Sequence, residues 1–473
     1  MASDWLEVPL GSVTTWLSGG TPNKATTSYW NGDIPWISAN SMYGSRFYDS
    51  GLRITESGLS AGSRLAPAYS VMLLVRGGAL HNRLPVGMAC RNLAFNQDVK
   101  ALIADPSKLD PWFLLYWLIG NERFLLNEVV EETGIGAGKL DTKRMQALPM
   151  QLPPMHLQKA IAQIARSIDD KADLNRSINQ TLETMAQALF KSWFVDFDPV
   201  KAKIAALAEG SDPLRAAMSA ISGKLGAELD ALPQEQLEQL AATAELFPDE
   251  MEKLESGEIP KGWEVSNMRS LAEVISKGTT PSKLDLANAE DKPKIPFIKV
   301  KDISVSGEVN RGGLELIAKS IHESSLKRSI LKEDDLLFSI AGTIGRTAFV
   351  DNDMHGANTN QAVAFIRLRN KRSHFPLCWL ALRSCETQNF IASKVVQAVQ
   401  ANASLANIGD IPVTLPGDDI IGRFNLLAFP LIREYRALQS ETRALASARD
   451  ILLPKLLSGE LSVEALAEQA GTA

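Results

Sequence analysis

The sequence predicts an α+β protein: two similar α/β domains separated by a long antiparallel two-helix coiled coil, arranged as a pseudo-twofold internal repeat. Three observations predict it. Leu157, Ile161, Ile164, Ile168, Ile178, Leu182, Met185 and Leu189 step alternately by four and three, with Lys171 and Asn175 filling the polar gaps. Leu431, Tyr435, Leu438, Leu445, Leu452 and Leu456 keep the same stepping, with Thr442 and Arg449 at the polar positions. A narrow apolar stripe is poorly buried alone, so each run requires the other as partner, and the polar positions are expected to face one another as register pins. The third observation is a duplication, in which strings from the first domain return 258 to 264 residues later.

Taken in order, residues 1–152 form the first domain. Its short apolar or β-branched runs, such as 70–75 and 99–103, are broken by Gly, Pro and Asn, the pattern of strands joined by turns. A helical patch at 111–127 carries Leu114, Leu115, Trp117 and Leu118, which are expected in the core. Residues 153–199 form the central spacer helix. Residues 200–258 are a connector of Ala-rich helical pieces broken by Gly210, Gly226, Pro233 and Pro248, readable either as an accessory helical arm or as a partly mobile linker. Residues 259–416 are the second domain, with a strand at 363–368 and a helical patch at 376–396. Residues 417–473 form the C-terminal spacer helix.

The two domains answer each other string by string. Trp5-Leu-Glu-Val is matched by Trp263-Glu-Val, Ser18-Gly-Gly-Thr-Pro-Asn-Lys24 by Lys277-Gly-Thr-Thr-Pro-Ser-Lys283, and Ile34-Pro-Trp-Ile37 by Ile295-Pro-Phe-Ile298. Asn96-Gln-Asp-Val99 pairs with Asn360-Gln-Ala-Val363, and Leu148-Pro-Met-Gln-Leu-Pro153 with Ile411-Pro-Val-Thr-Leu-Pro416. A repeat of this length means two copies of one unit, a domain followed by a long helix.

Composition excludes more than it selects. With 473 residues, 45% hydrophobic and 22% charged, the chain has the make-up of a globular protein with several cores. The N-terminus has no basic and apolar leader pattern, and no stretch approaches the roughly 20 apolar residues that span a bilayer. Cys90, Cys378 and Cys385 have no metal-ligand spacing, which fits a reducing cytosol. The net charge of −6 is unevenly spread: residues 200–258 hold 5 basic against 12 acidic side chains, and residues 259–416 hold 20 against 16. This distribution neither selects nor excludes a nucleic-acid partner.

Catalytic motifs fail on inspection. Gly134-Ile-Gly-Ala-Gly-Lys139 lacks the Gly and the Ser/Thr that a phosphate-binding loop needs at Thr133 and Leu140, and it reads instead as a flexible basic loop. The carboxylates of Pro248-Asp-Glu-Met-Glu-Lys253 are crowded, as at the start of a helix, rather than spaced to converge on Mg²⁺. Leu152-Pro-Pro-Met155 lacks both ends of the tetrad an amino-methyltransferase uses. The histidines at 81, 156, 322, 355 and 374 have no ligand spacing and no nucleophile partner. No catalytic residue and no metal site is expected.

Two similar domains on a rigid spacer form a reading device. The 32 residues from Leu157 to Leu189 make a spacer of about 48 Å at the α-helical rise. DNA repeats its groove about every 34–36 Å, so two such domains could read one face of a duplex at sites roughly 10–14 base pairs apart. Because the domains differ in sequence, the target should be asymmetric and bipartite.

The chain resembles the DNA-specificity (S) subunit of type I restriction–modification systems. The resemblance covers nearly its whole length and rests on Ser18-Gly-Gly-Thr-Pro22, Ile34-Pro-Trp-Ile37, Asn96-Gln97, Leu148-Pro149, Leu152-Pro-Pro154, Phe190-Lys-Ser-Trp-Phe194, Gly257-Glu-Ile-Pro-Lys-Gly-Trp263 and Leu453-Pro-Lys-Leu-Leu-Ser-Gly-Glu-Leu461, all in family order. It implies two target-recognition domains on conserved helices and a non-catalytic prokaryotic cytoplasmic subunit. It also implies two methylation (M) subunits and motor–nuclease (R) subunits as partners. S-adenosylmethionine, ATP and Mg²⁺ would then serve those partners, not this chain. The second domain departs from the pattern, with Phe297 in place of Trp36 and Lys277 against a small residue. Alternatives from other classes are a protein-binding adaptor with duplicated domains, and a fused methyltransferase, for which no cofactor motif is present.

Residue type and placement select the DNA-contacting candidates. Phosphate contacts favour Lys, Arg and small polar groups on loops; base readout favours forked or point donors. In the first domain these are Thr21, Asn23, Lys24, Arg46, Arg76, Arg83 and Lys139. In the second they are Lys277, Thr279, Lys283, Lys299, Lys301, Thr343 and Arg346. Asn96-Gln97 and Asn360-Gln361 could read adenine or could brace the strands that follow them.

Overall fold

The structure is a computed structural model that describes residues 5–132, 137–255, 257–395 and 402–463. Gly134, Ile135 and Gly136 of the glycine-rich loop, Val396 of the second helical patch and the chain after Val463 lie outside the described residues. The chain divides into two compact units, one made of Met1–Arg176 with Gln439–Ala473 and the other of Ser177–Leu438.

In the first unit a five-stranded sheet runs in the order Thr14–Ser18, Val99–Ala104, Val71–Leu74, Val86–Ala89 and Arg46–Phe47. Val71–Leu74 lies at its centre and is buried at all four positions, so it reads as a continuous apolar run rather than an alternating one. A second sheet orders Arg53–Ile54, Trp30–Ile37, Leu93–Phe95 and Leu65–Ala66, with a parallel pair that sets Trp36 opposite Ala94. Leu6–Pro9 pairs antiparallel with Pro149–Leu152, bringing the ends of the domain together at the start of the central helix. Helix Pro111–Gly120 begins on Asp110, whose carboxylate accepts from the amides of Trp112 and Phe113 at 3.0 Å. One core joins Leu73, Leu102, Phe113, Leu114 and Leu118 to Ile161 and Ala165 of the central helix and Leu453 and Leu456 of the C-terminal helix.

The second unit repeats this plan. Ala272–Lys277, Val363–Leu368, Leu336–Ser339 and Thr347–Phe349 form one sheet, and Glu315–Ile317, Ile295–Ile298 and Asn358–Thr359 another. The parallel pair recurs, with Phe297 opposite Asn358, and Glu264–Asn267 pairs with Pro412–Leu415 as the closing ladder. Residues 200–258 belong to this unit and are folded. Helices Asp198–Glu209, Pro213–Ser222, Gly226–Asp230 and Gln234–Glu245 are followed by a hairpin of Met251–Leu254 with Gly257–Pro260. Ala217, Met218, Leu229 and Ala244 form a small core of their own. Trp193, Phe194, Phe247, Trp263 and Phe424 meet edge to face or tilted at ring separations of 4.8–6.3 Å, fastening the connector to its unit. The hairpin corrects the reading of 248–253 as a helix start: Met251, Glu252 and Lys253 lie on a strand, where alternation separates their side chains.

The helices Met155–Phe194 and Asp418–Leu457 are each continuous over 40 residues. In the first unit Asp169 meets Arg449 and Asn175 meets Glu441, so the two segments there are antiparallel. The seam, however, is displaced from the expected one. Buried positions on the central helix are Ile161, Ala162, Ala165, Asp169, Ala172, Asn175, Asn179, Ala186 and Phe190, whereas Leu157, Ile164, Ile168 and Leu182 are half-buried. Ile178 and Met185 are 36% and 51% exposed and do not belong to the seam. On the C-terminal helix Tyr435 and Leu438 are buried as expected, and Leu431, Leu445 and Leu452 are half-buried beside Ile432, Gln439 and Leu453. Small and polar residues are thus the buried ones on the central helix, and the larger aliphatics that dominate the hydrophobic pattern are more exposed beside them. The register pins are corrected likewise. Arg449 bonds Asp169 at 2.8 Å, while Asn175 and Lys171 both turn to Glu441, at 2.8 and 3.6 Å.

Candidate nucleic-acid interface

The two domains share a loop clasp. In the first, the loop after Thr14–Ser18 runs so close to the turn after Leu93–Phe95 that a Cβ on Gly19 would lie 2.2 Å from the Phe95 carbonyl oxygen. The Gly20 amide donates to that oxygen at 2.9 Å, and the Thr21 hydroxyl donates to Gln97 Oε1 at 2.7 Å. In the second, a Cβ on Gly278 would lie 1.7 Å from the Thr359 carbonyl oxygen, the Thr279 amide donates to it at 3.2 Å, and the Thr280 hydroxyl donates to Gln361 Oε1. The glycine is required by backbone contact, not by a positive φ. The hydroxyl that makes the clasp in the second domain is that of Thr280; the side chain of Thr279, the sequence candidate, is exposed beside it. Asn96 and Asn360 brace their turns, accepting from the amides of Asp98 and Ala362 at 3.2 Å.

Of the first-domain candidates, Lys24, Arg76, Arg83 and Lys139 are exposed. Arg76 and Lys139 are brought together as register partners on the neighbouring strands Arg76–Gly77 and Gly138–Leu140. Asn23 shapes its own turn, accepting from the Ala25 amide at 3.0 Å while its carbonyl takes the Trp30 indole N–H at 3.2 Å. Arg83 donates to the Met42 carbonyl at 3.3 Å and lies over the ring of Tyr43. Arg46 is withdrawn from any interface. Its side chain is 8% exposed, paired with Asp170 and, at 3.4 Å, with Asp173 of the central helix, and packed against Trp112. Burial opposes its charge and the Asp170 carboxylate outweighs that cost, so Arg46 is a fixed internal cation.

In the second domain Lys277, Thr279, Lys283, Lys301 and Thr343 are exposed. Two candidates are otherwise engaged. Lys299 pairs with Glu315 and covers the Phe297 ring. Arg346 donates to the carbonyls of Ile303 and Val300 at 2.7 and 3.5 Å, with its Nε buried. The Thr343 carbonyl accepts from Ser339 Oγ at 2.6 Å, which anchors its turn. Each domain therefore presents separate exposed cations, and rather than the loops expected from sequence Arg76, Lys139 and Lys277 sit on strands and Lys283 opens a helix, an arrangement able to bind phosphates. Among the described residues no group of three His, Cys, Asp or Glu could hold a metal ion, and no helix is long and apolar enough to cross a membrane.

Sequence reasoning missed Tyr43. It is 74% exposed, follows a buried Met42 and precedes Gly44 at φ +77°. Its only signal was an aromatic residue beside glycine in an otherwise polar loop.

Comparison with known proteins places these features. The sequence family described as the type I restriction modification DNA specificity domain matches residues 2–184 and again 260–420. The type I restriction enzyme HindI specificity subunit of Haemophilus influenzae is 30% identical over 417 residues, covering 84% of this chain and 89% of that one. The MjaIX specificity subunit of Methanocaldococcus jannaschii is 25% identical over 482 residues, covering 98% and 95%. A crystal structure of a type I restriction–modification S subunit from M. genitalium is similar over 96% of each chain, at 14% identity and a TM-score of 0.46.

Proposed function

Because the chain belongs to the type I restriction modification DNA specificity family, we propose that it is the DNA-reading subunit of such a system, each domain contacting one half of an asymmetric bipartite site. The carrying observation is that the family match occurs twice, over 2–184 and 260–420, in two domains of one plan but different loops. Exposed cations of the two domains supply sequence-independent attraction to phosphates, and loop side chains supply base contacts. On this reading the subunit is non-catalytic. It works in the cytoplasm of a prokaryote with two methylation subunits and with motor–nuclease subunits, which use S-adenosylmethionine, ATP and Mg²⁺.

The test is reconstitution of the full chain with its methylation subunits on duplex DNA. The expected result is methylation of adenine within one bipartite sequence, and a gel shift for that duplex over a scrambled one. A complex that binds both duplexes equally would overturn the proposal in favour of an adaptor role. Methyl transfer by the isolated chain would overturn the non-catalytic reading. Replacing Lys24 or Lys283 by Ala should reduce affinity evenly across sequences and lower the salt slope by about 1 for each phosphate no longer neutralised.

A further inference from the structure

Both domains build a projecting turn after a buried anchor, shorter in the first (Met42 to Gly44) than in the second (Ile303 to Gly307), and they use its brace differently. In the first domain Met42 is 1% exposed and anchors the turn; Tyr43 then projects at 74% exposure, and Gly44 turns the chain back with open space around it. In the second, Ile303 is fully buried, Val305 projects at 84% exposure, and Gly307 at φ +84° closes the turn. An arginine from the hairpin that follows braces each anchor, Arg83 on the Met42 carbonyl at 3.3 Å and Arg346 on the Ile303 carbonyl at 2.7 Å. Arg346 gives a second bond to Val300 and is half-buried. Arg83 is exposed, makes that one hydrogen bond among the described residues, and has its guanidinium carbon 5.9 Å from the Tyr43 ring centroid.

Ala39, three residues before Met42, approaches the basic strands: a Cβ on Gly77 would lie 4.0 Å from Ala39 Cβ, and Gly77 follows Arg76, the register partner of Lys139. Among the described residues Arg83 commits one N–H, which leaves four of its five donors for a ligand. A guanidinium restrained by a carbonyl and a neighbouring aromatic ring has lost part of the freedom that base recognition would otherwise cost.

We infer that the Tyr43–Arg83 pair reads a guanine in the half-site of the first domain, Arg83 supplying the forked donors to the guanine O6/N7 edge and Tyr43 acting as the positioning residue. The second domain has no counterpart, because its arginine is spent on the fold and its projecting side chain is a valine, which can offer only apolar contact. This inference rests on the DNA-reading proposal.

The test uses the full chain assembled with its methylation subunits and a duplex library randomised across the site, reading which sequences become methylated. Arg83→Lys keeps the charge and loses the fork, so preference for guanine at one position of the first half-site should fall roughly 10- to 100-fold. Tyr43→Ala should relax the same position less, and Tyr43→Phe should restore it, since the ring and not the hydroxyl holds the arginine. Preferences in the second half-site should stay unchanged. An even loss across all positions, or no change on Arg83→Lys, would overturn the inference by making Arg83 a phosphate contact or a bystander. Failure of Tyr43→Ala to assemble would overturn it too, by making the pair part of the fold. A wild-type complex that selects no sequence would instead sink the DNA-reading proposal itself.

Discussion

The two recognition domains share paired strands and a clasp, and both hold ion pairs against the long helices, yet among the described residues only the second buries one inside its main sheet. Within the main sheet of the second domain, Asp335 is buried and accepts both guanidinium arms of Arg367, at 2.9 and 2.6 Å, together with the Lys332 amide at 2.8 Å. The matching ladder positions of the first domain, adjoining the Val71–Leu102 pair, are Ser70 and Ile103. Ser70 simply closes a turn onto the Pro67 carbonyl at 2.7 Å. Against the long helices both domains use an ion pair, set in different company. The first domain presents Tyr116, whose hydroxyl donates to Asp169, itself paired with Arg449. Burial and then the Asp169 charge push the Tyr116 phenol well above its ordinary range, so it remains a donor. The second presents Phe349, Phe375 and Trp379 around Tyr435 of the C-terminal helix, whose Arg436 lies over Phe349 and Phe375 at 4.4 and 4.6 Å and pairs with Asp334 at 2.8 Å, while Arg383 pairs with Glu183 of the central helix. The duplicated plan is therefore fixed by backbone approach and strand pairing, while each copy has its own solution for uniqueness inside.

The sharpest way to break that comparison is at the sheet. Asp335→Ala strands Arg367 and should cost about 3–5 kcal/mol, whereas Ser70→Ala should cost about 1 kcal/mol. Denaturant midpoints of the full chain would show it, and equal costs would mean the charge contrast has no energetic content. The joint change Asp335→Ser with Arg367→Ile, which installs the first domain's pair, should recover most of the loss. Next in size is Arg449→Ala, which leaves Asp169 with only the hydroxyls of Tyr116 and Ser45 and should cost about 2–3 kcal/mol. Arg436→Ala, which removes a cation from aromatic faces and its partly exposed ion pair with Asp334, should cost about 1–2 kcal/mol. Reversal of that order would make the second domain's charged helix contact the stronger of the two. Smaller still, Thr21→Val and Thr280→Val each remove one partly exposed clasp bond, at about 0.5–1 kcal/mol apiece. Unequal values would show that the clasps have diverged as well.

What the sequence disclosed follows the same division. The repeat, the strands and the two long helices were legible because they depend on glycine at 19 and 278, on prolines at strand ends and on apolar periodicity. The buried stripe was misread by about one position, since Ala162, Ala165, Ala172 and Ala186 are buried while the Leu and Ile that dominate the pattern are half-buried or exposed beside them. Sequence placed the candidate cations on loops but could not distinguish Arg83 from Arg46, because a guanidinium's partner 120 or more residues away leaves no local trace. Asp169 and Asp335 escaped for the same reason: a lone Asp in a helix or before a strand reads as surface until its arginine is found. Tyr43 was passed over because aromatic residues usually signal core.

The aromatic side of the second domain can also be probed by acid. His374 lies on Lys371–Arg383, the helix that supplies Phe375 and Trp379, and burial depresses its pKa below the ordinary 6.5 although the Asp418 carboxylate pulls the other way. As pH falls, the unfolded chain takes up this proton first, so stability of the second unit is fully present above 6.5 and declines as pH drops through 6.5 toward the folded value. Below the folded value the loss stops growing, because both states are then protonated. His374→Gln should flatten the profile between about pH 7 and 5. Asp418→Asn, by removing the opposing charge, should deepen the decline. If His374→Gln left the slope of the denaturation midpoint against pH unchanged, this face would not penalise charge. The difference from the first domain, whose Tyr116 meets Asp169 and Arg449 of the long helices, would then be one of shape alone, since Arg383 and Glu183 already give the second its own ion pair.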